Sequence, residues 1–116
     1  MKKLTVEIAD NSILHAQGLM GRKELQKEHG MLFIFPFMRE ASFWGKDTYI
    51  PLDIAFINKN KEIIDIQEIV PMSTKPVRSN GICSFAIETH MGFFKDNEID
   101  IGHTIKIEGD QVLFDD

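Results

Sequence analysis

Short apolar segments joined by short turns constrain the fold of this chain more than any other sequence feature. Residues 52–57 (LDIAFI) and 61–70 (KEIIDIQEIV) flank residues 58–60 (NKN), and asparagine tolerates the backbone geometry of a tight turn. Successive residues of a strand point to opposite faces, and in these segments both faces would carry apolar residues. This is typical of strands that are buried on both faces. The sequence therefore predicts a β-hairpin that lies inside a sheet and not at its edge.

Other segments of the same kind predict at least six strands and two short helices. Asp10, Asn11 and Ser12 are all capable N-caps for a helix over residues 11–19, and Thr89 is the expected N-cap of a second helix in THMGFFKDN. Pro36 is expected to end a buried strand, since proline cannot donate to a sheet ladder. Further strands are expected at residues 4–9, 31–35, 42–44 and 82–88, and a second hairpin at 104–114. The pattern predicts a mainly β fold, a small antiparallel barrel or sandwich with two short helices, formed by residues 1–116 as a single domain.

Composition and charge exclude several function classes. The 116 residues are 43% hydrophobic and 27% charged, which is typical of a globular domain. The formal net charge is -5 and the basic residues are scattered, so neither nucleic acid nor an anionic membrane is an expected partner. The opening MKKLTVEIADNS reaches two acidic residues before any apolar run, and no segment is long enough for a membrane span. We therefore expect no secretory signal and a cytoplasmic location.

Cysteine and histidine content argues against metal or redox chemistry. Cys83 is the single cysteine, which excludes a disulfide within the chain and a cysteine-based zinc cluster. It lies in the apolar run ICSFAI, where a cysteine is usually an inert core residue. The four histidines form neither an i, i+4 pair nor an HExxH motif. We expect no metal and no cofactor.

Five ordered blocks carry a resemblance to a known family. They are GLMGRKEL (18–25), GMLFIFP (30–36), SFWGKDTYIPLDIAFI (42–57), FAIETHMG (85–92) and IDIGHTIKI (99–107). With these blocks the chain resembles the domain of unknown function 192 family. The resemblance implies a compact, β-rich domain that is often secreted, and it assigns no biochemical activity.

Four positions depart from the patterns of that family. Gly45 and Asp47 stand where the family block FWMKNT has methionine and asparagine. His90 stands where the family block L-E-x-P-x-G has proline, and His103 replaces the aspartate of a GD pair. A ligand inferred by analogy with the family is therefore not transferred to this chain.

The block at residues 42–57 contains the candidate ligand-binding residues. On a strand, Trp44 and Lys46 share a face, and a tryptophan ring beside a cation and carboxylates suits a sugar-like ligand. The predicted ligand-binding set is Trp44, Lys46, Asp47, Asp53 and Arg22. We expect Asp53 to lie within reach of Trp44 across the turn at Pro51.

Each candidate also has a structural interpretation. Trp44 could be a core anchor, because large aromatic side chains dominate burial in small domains. Asp53 could accept backbone N–H groups of the preceding turn. Arg22 could form a salt bridge with Glu24, Glu28 or Asp53.

Three functions remain open from the sequence. The first is a binding module for a small polar, saccharide-like ligand. The second is a carboxylate-dependent hydrolase in which Asp47 or Asp53 acts as acid or base. The third is a protein–protein interaction module that uses a sheet edge or an aromatic patch. The sequence does not decide between enzyme and binding protein, and it leaves the oligomeric state open.

Overall fold

The computed structural model describes residues 2–115, and over these residues it contains nine strands and two short helices. In chain order the elements are β1 (Lys2–Ala9), α1 (Ser12–Gln17), β2 (His29–Arg39), β3 (Ser42–Phe43), β4 (Leu52–Ile57), β5 (Ile63–Ile69), β6 (Val77–Arg78), β7 (Cys83–His90), α2 (Phe93–Asp96), β8 (Thr104–Glu108) and β9 (Gln111–Asp115). The predicted mainly β fold with two short helices is confirmed. No helix within residues 2–115 has the length and apolar character needed to cross a membrane.

Seven of the strands form one curled sheet in the order β5-β4-β7-β2-β1-β9-β8, while β3 and β6 form a separate pair. All neighbours in the large sheet are antiparallel except β1 and β2. The sheet curls until the beginnings of its two end strands touch at one point, where Ile63 N donates to His103 O at 2.9 Å and Ile105 N donates to Lys61 O at 2.9 Å. The result is a half-barrel.

Two apolar clusters lie on opposite faces of this sheet, and β4 contributes to both. Leu52, Ile54 and Phe56 belong to one cluster, whereas Ala55 and Ile57 belong to the other. All six residues of β4 are buried. Because β4 is buried on both of its faces, both faces of LDIAFI carry apolar residues.

Strands β4 and β5 form the predicted hairpin, but the prediction that it lies inside the sheet is correct only for β4. Strand β4 lies between β5 and β7, whereas β5 is the terminal strand. No long strand pairs with the free edge of β5 among the described residues, and other segments cover part of it. Gln67 Nε2 donates to Arg78 O of β6 at 2.5 Å, and Ile64 lies beside Gly81, so β6 and the residues that follow it cover part of this edge.

Two predicted element boundaries are wrong. Strand β2 continues past Pro36 to Arg39, and its pairing with β7 is irregular between Ile34 and Arg39, so the missing proline N–H breaks no regular ladder. Thr89 is not a helix cap, because it is a strand residue of β7 paired with Asp53. Helix α2 follows Gly92 instead.

The first helix begins as predicted. Asn11 is its N-cap, and Asn11 Oδ1 accepts a hydrogen bond from Leu14 N at 2.9 Å. The helix is shorter than predicted and has no fully buried residue. It therefore rests on the edge of the apolar cluster that contains Phe33 and Phe56, where it forms one wall of the pocket described next.

Candidate functional site

A pocket of about 310 Å³ opens on the Phe33 face of the sheet, between α1 and the segment that follows β3. Residues 15–20 form one wall and residues 42–44 the other, while Thr48 and Glu88 complete the lining. We call this cavity the Trp44 pocket. Its volume lies at the lower end of the ~300–1,000 Å³ typical of small-molecule sites.

Trp44 stands at the mouth of this pocket and is not a core anchor. Its side chain is 43% exposed, and Lys46 Nζ lies 5.3 Å from the centre of its ring. That distance is within the range of a cation–π contact. The two side chains lie together as expected, but not on a strand, because β3 ends at Phe43, Trp44 follows it in irregular structure and Lys46 lies in a turn.

Gly45 holds this turn against the segment after β5. Its N–H donates to Ser73 O at 2.9 Å, and its carbonyl accepts from Met72 N at 2.8 Å. A Cβ atom added at Gly45 would lie 1.9 Å from Val70 O. The missing side chain thus admits a neighbouring backbone and not a ligand.

Replacing Gly45 by alanine is expected to lower the free energy of unfolding by about 1–3 kcal/mol, the usual cost of forcing extra volume into a packed site. Urea denaturation followed by Trp44 fluorescence measures the change. Lys46→Ala is the matched control, since Lys46 is an exposed neighbour, and it should change the unfolding free energy by less than about 1 kcal/mol. Equal stability of Gly45→Ala and the wild type would contradict the close packing at Val70.

Asp47 contributes through its backbone. Its φ is 55°, a left-handed conformation that aspartate and asparagine tolerate better than most residues. Its carbonyl accepts a hydrogen bond from Gly21 N at 2.7 Å. Asp47 therefore links the Trp44 turn to the segment after α1, and the asparagine of the family block is equally suited to this conformation.

Asp53 lies on the opposite face of the sheet from Trp44. It alternates on β4 with Leu52 and Ile54, which face the Trp44 side. Its carboxyl lines a different cavity, of about 410 Å³, next to α2. The expectation that Asp53 reaches Trp44 across the Pro51 turn is wrong, because the first residues of β4 point alternately to the two faces.

The carboxyl of Asp53 has a structural partner in its own cavity. Asp53 Oδ2 accepts the backbone N–H of Gly92 at 2.9 Å, just before α2. Burial raises the pKa of Asp53, and the Gly92 hydrogen bond opposes part of that rise. The predicted acceptance of a backbone N–H is present, but the donor belongs to the segment before α2 and not to the preceding turn.

Arg22 lies outside the Trp44 pocket and forms an ion pair with Glu7 of β1. Two hydrogen bonds join the side chains, one of them from Nη2 to Glu7 Oε1 at 2.6 Å. This pairing lowers the pKa of Glu7. The predicted partners Glu24, Glu28 and Asp53 were wrong. The side chains of Arg22 and Glu7 are 39% and 52% exposed, so we expect the pair to contribute little to stability.

Glu88, which the sequence reasoning did not select, lies at the base of the Trp44 pocket. Its side chain is 4% exposed, and among the described residues its Oε1 is the one buried side-chain oxygen or nitrogen without a hydrogen-bond partner. Its strand neighbours are Met31 and Ile54, both apolar. This burial raises the pKa of Glu88 to about 8.

A sequence signal for Glu88 existed. In the segment CSFAIETH, Ala86 and Glu88 are two positions apart, so on a strand their side chains point to the same face. The carboxyl therefore shares a face with a residue expected in the core. Glu88 is also the glutamate in the block that resembles L-E-x-P-x-G. A charged residue at an inward position of a central strand is uncommon without a partner, and it indicates a functional site.

Residues 2–115 contain no group of three or more histidine, cysteine, aspartate or glutamate side chains able to hold a metal ion. Cys83 is fully buried, and this burial raises the pKa of its thiol, which disfavours the reactive thiolate.

The family assignment follows from the sequence match. Residues 1–107 match the model of DUF192, described as Uncharacterized ACR, COG1430. The chain belongs to the DUF192 family. No curated protein matches it significantly.

Two solved structures are similar to this DUF192 chain. One is a protein from Sinorhizobium meliloti 1021, described provisionally as a transcription regulator, with 33% identity and a TM-score of 0.84 over 96% of this chain and 81% of the other. The second is a protein of unknown function from Novosphingobium aromaticivorans DSM 12444, with 31% identity and a TM-score of 0.87 over 90% of this chain and 75% of the other.

Three of the five family-like blocks meet at the Trp44 pocket of this DUF192 domain. GLMGRKEL contributes Gly18 and the wall after α1, SFWGKDT contributes the wall that carries Trp44, and FAIETHMG contributes Glu88 at the base. Segments separated by about 25 to 70 positions in the chain are thus brought together around one cavity.

Proposed function

We propose that this DUF192 domain is a binding module for a small polar, saccharide-like ligand that occupies the Trp44 pocket. The observation that carries the proposal is the pairing of a half-exposed tryptophan at the mouth with a buried, unpartnered carboxyl oxygen of Glu88 at the base. An aromatic surface combined with a few directed polar groups is the usual composition of a site for a small polar ligand.

The unpartnered Oε1 of Glu88 favours a ligand that places a hydroxyl group beside it. A buried polar atom without a hydrogen bond costs ~1–3 kcal/mol, and a bound hydroxyl group would remove that cost. The cavity volume of about 310 Å³ suits a ligand of monosaccharide size rather than a long chain. The ligand would contact Trp44 with an apolar ring face and Glu88 with a polar edge.

The proposed site retains part of the set expected from the sequence. Trp44 and Lys46 belong to it, and Asp47 supports it by joining the two walls. Asp53 and Arg22 are not included, since they lie beside α2 and beside β1 respectively.

A binding role is favoured over a carboxylate-dependent hydrolase. Glycoside hydrolysis commonly needs two carboxyl groups that flank one bond. Glu88 is the one acidic residue among those that line the Trp44 pocket, and Asp53 lies on the other face of the sheet. The concave pocket likewise favours a small ligand over a protein partner.

The chain's net charge of -5 gives no support for extending to it the description of the Sinorhizobium meliloti protein. A cytoplasmic location is part of the proposal, since a chain whose single cysteine is buried suits a reducing compartment.

The function is tested by titrating monosaccharides into the protein and recording Trp44 fluorescence and the melting temperature. Trp44→Ala is expected to weaken binding at least about tenfold, equivalent to ~1.4 kcal/mol, while it leaves the fold intact. Melting temperature reports binding to this variant, which lacks the fluorophore. The matched control is Tyr49→Ala, because Tyr49 is a 52% exposed aromatic residue nearby that does not line the pocket. Equal binding by Trp44→Ala and the wild type would contradict the proposed site.

A further inference from the structure

We propose that Glu88 is the specificity-determining residue of the Trp44 pocket and that it selects an uncharged, hydroxyl-bearing ligand over cationic or anionic ligands of the same shape. The inference rests on the proposed function, because it concerns the ligand class of the same site. It depends on whether the Glu88 carboxyl is protonated when the ligand binds, and on the charged groups around it.

Among residues 2–115, no lysine or arginine side chain lines the pocket with Glu88. His15 is the other titratable residue of the lining, and its Nε2–H donates to Ala9 O at 2.8 Å. The His15 ring also contacts the ring of Phe35 at 5.3 Å. On the neighbouring strands Glu88 is flanked by Met31 and Ile54, which carry no charge.

The remaining charges near the site lie at its mouth or outside it. Lys46 Nζ is held over the Trp44 ring, and the Asp47 side chain is exposed. Arg22 and Glu7 form a pair of their own beside β1. Ionised Glu88 would therefore be a buried charge without a counter-ion, which is strongly unfavourable.

A neutral carboxyl is complementary to a hydroxyl group. It has one O–H donor and a carbonyl acceptor, and a hydroxyl can both accept from the first and donate to the second. The pKa of about 8 keeps this neutral form dominant at neutral pH.

Charged ligands of the same size are disfavoured for separate reasons. A ligand carboxylate would place a charge without a counter-ion into the apolar base of the pocket. A ligand ammonium would have to pass Lys46 at the mouth and lose its hydration in the apolar base of the pocket, where the Glu88 carboxyl is neutral. Both costs are absent for a neutral polyol.

The test uses three sugars of one ring type, glucose, glucosamine and glucuronate, which differ in charge. Binding is measured at pH about 6, where the Glu88 carboxyl is neutral, by Trp44 fluorescence and by amide NMR shifts. The wild type is expected to bind glucose at least tenfold more tightly than either charged sugar.

The Glu88→Gln variant provides the matched control, because glutamine keeps the size, one acceptor and a donor but cannot ionise. It should bind glucose as the wild type does at pH about 6 and retain that affinity at pH about 9, where the wild type loses at least tenfold as Glu88 ionises. Glu88→Leu should lose glucose binding at both pH values while its amide spectrum shows an intact fold.

The two proposals fail in distinguishable ways. If the wild type binds glucosamine or glucuronate as well as or better than glucose, or if the glucose affinities of the wild type and Glu88→Gln have the same pH profile, the role of Glu88 is overturned while the binding module stands. If none of the three sugars perturbs Trp44 or the pocket amides, the saccharide-binding function fails, and the inference drawn from it fails as well.

Discussion

Glu88→Gln is expected to stabilise the folded protein by several kcal/mol at pH about 8 and to have little effect near pH 4.5. In the folded protein the pKa of Glu88 is about 8, against an ordinary value of 4.5. Between these values the unfolded chain ionises Glu88 while the folded chain keeps the proton, so the unfolding free energy of the wild type falls as the pH rises. The slope is roughly 1.4 kcal/mol per pH unit, which gives a loss of roughly 5 kcal/mol over the interval.

Urea denaturation at a series of pH values, applied to the wild type and to Glu88→Gln, measures this effect. The two stability profiles should converge near pH 4.5, diverge steadily and become parallel above pH about 8, where both states of the wild type are ionised. Glu24→Gln is the matched control, because Glu24 is exposed and the same change of charge should leave the profile close to that of the wild type. Profiles for Glu88→Gln and the wild type that stay parallel throughout would refute the buried, unpartnered state of this carboxyl.

The loss of folding stability that Glu88 is expected to cause is also relevant to function. A carboxyl that lowers stability at neutral pH is retained in natural proteins chiefly where it has a task, and polar side chains in pockets commonly carry such a cost. A ligand that satisfies Glu88 Oε1 should therefore raise the melting temperature as well as bind. Stability and recognition are coupled through the same atom.

Phe33→Ala is expected to lower the unfolding free energy by about 3–5 kcal/mol, which is the usual cost of emptying a buried aromatic site. Phe33 is fully buried on β2, and its ring lies 4.8 Å from the ring of Phe43 in an edge-to-face arrangement. The removal would leave a cavity beneath the wall that carries Trp44. Urea denaturation with Trp44 fluorescence measures both the stability and the environment of that wall.

Phe37→Ala on the same strand is the control, since Phe37 is 67% exposed. It should change the unfolding free energy by less than about 0.5 kcal/mol, as surface substitutions usually do. Equal losses for the two variants would show that the irregular end of β2 is buried and that the assignment of the core on this face is wrong. Phe33→Leu should recover part of the loss, because leucine refills part of the cavity.

Local signals in the sequence were sufficient for most of the elements. The NKN turn between two apolar runs indicated the β4–β5 hairpin, and the capping residues at 10–12 indicated the start of α1, because both depend on backbone preferences within a few residues. Local signals failed where long-range pairing was decisive. Pro36 was tolerated by irregular pairing with β7, and Thr89 was drawn into β7 by β4 on its other side.

The site was less accessible to sequence reasoning. Trp44 and Lys46 are two positions apart and were expected to share a face of a strand, whereas the structure brings them together after the end of β3. Asp53 is also near in sequence, but the two-residue alternation of β4 places it on the opposite face. Glu88 lies 44 positions after Trp44, and no local pattern specifies that the two line one cavity.

The sequence by itself determined the β-rich class, the turn between β4 and β5, the start of α1 and the family. These properties follow from local conformational preference, hydrophobic periodicity and quoted motifs. Only the tertiary structure decided which polar side chains meet, because the curl of the sheet brings α1, the turn after β3 and strand β7 around one space. Burial in that space, and not the identity of the residue, makes Glu88 a neutral, unpartnered carboxyl, since the energy of a charge depends on the solvent and partners that the fold leaves around it.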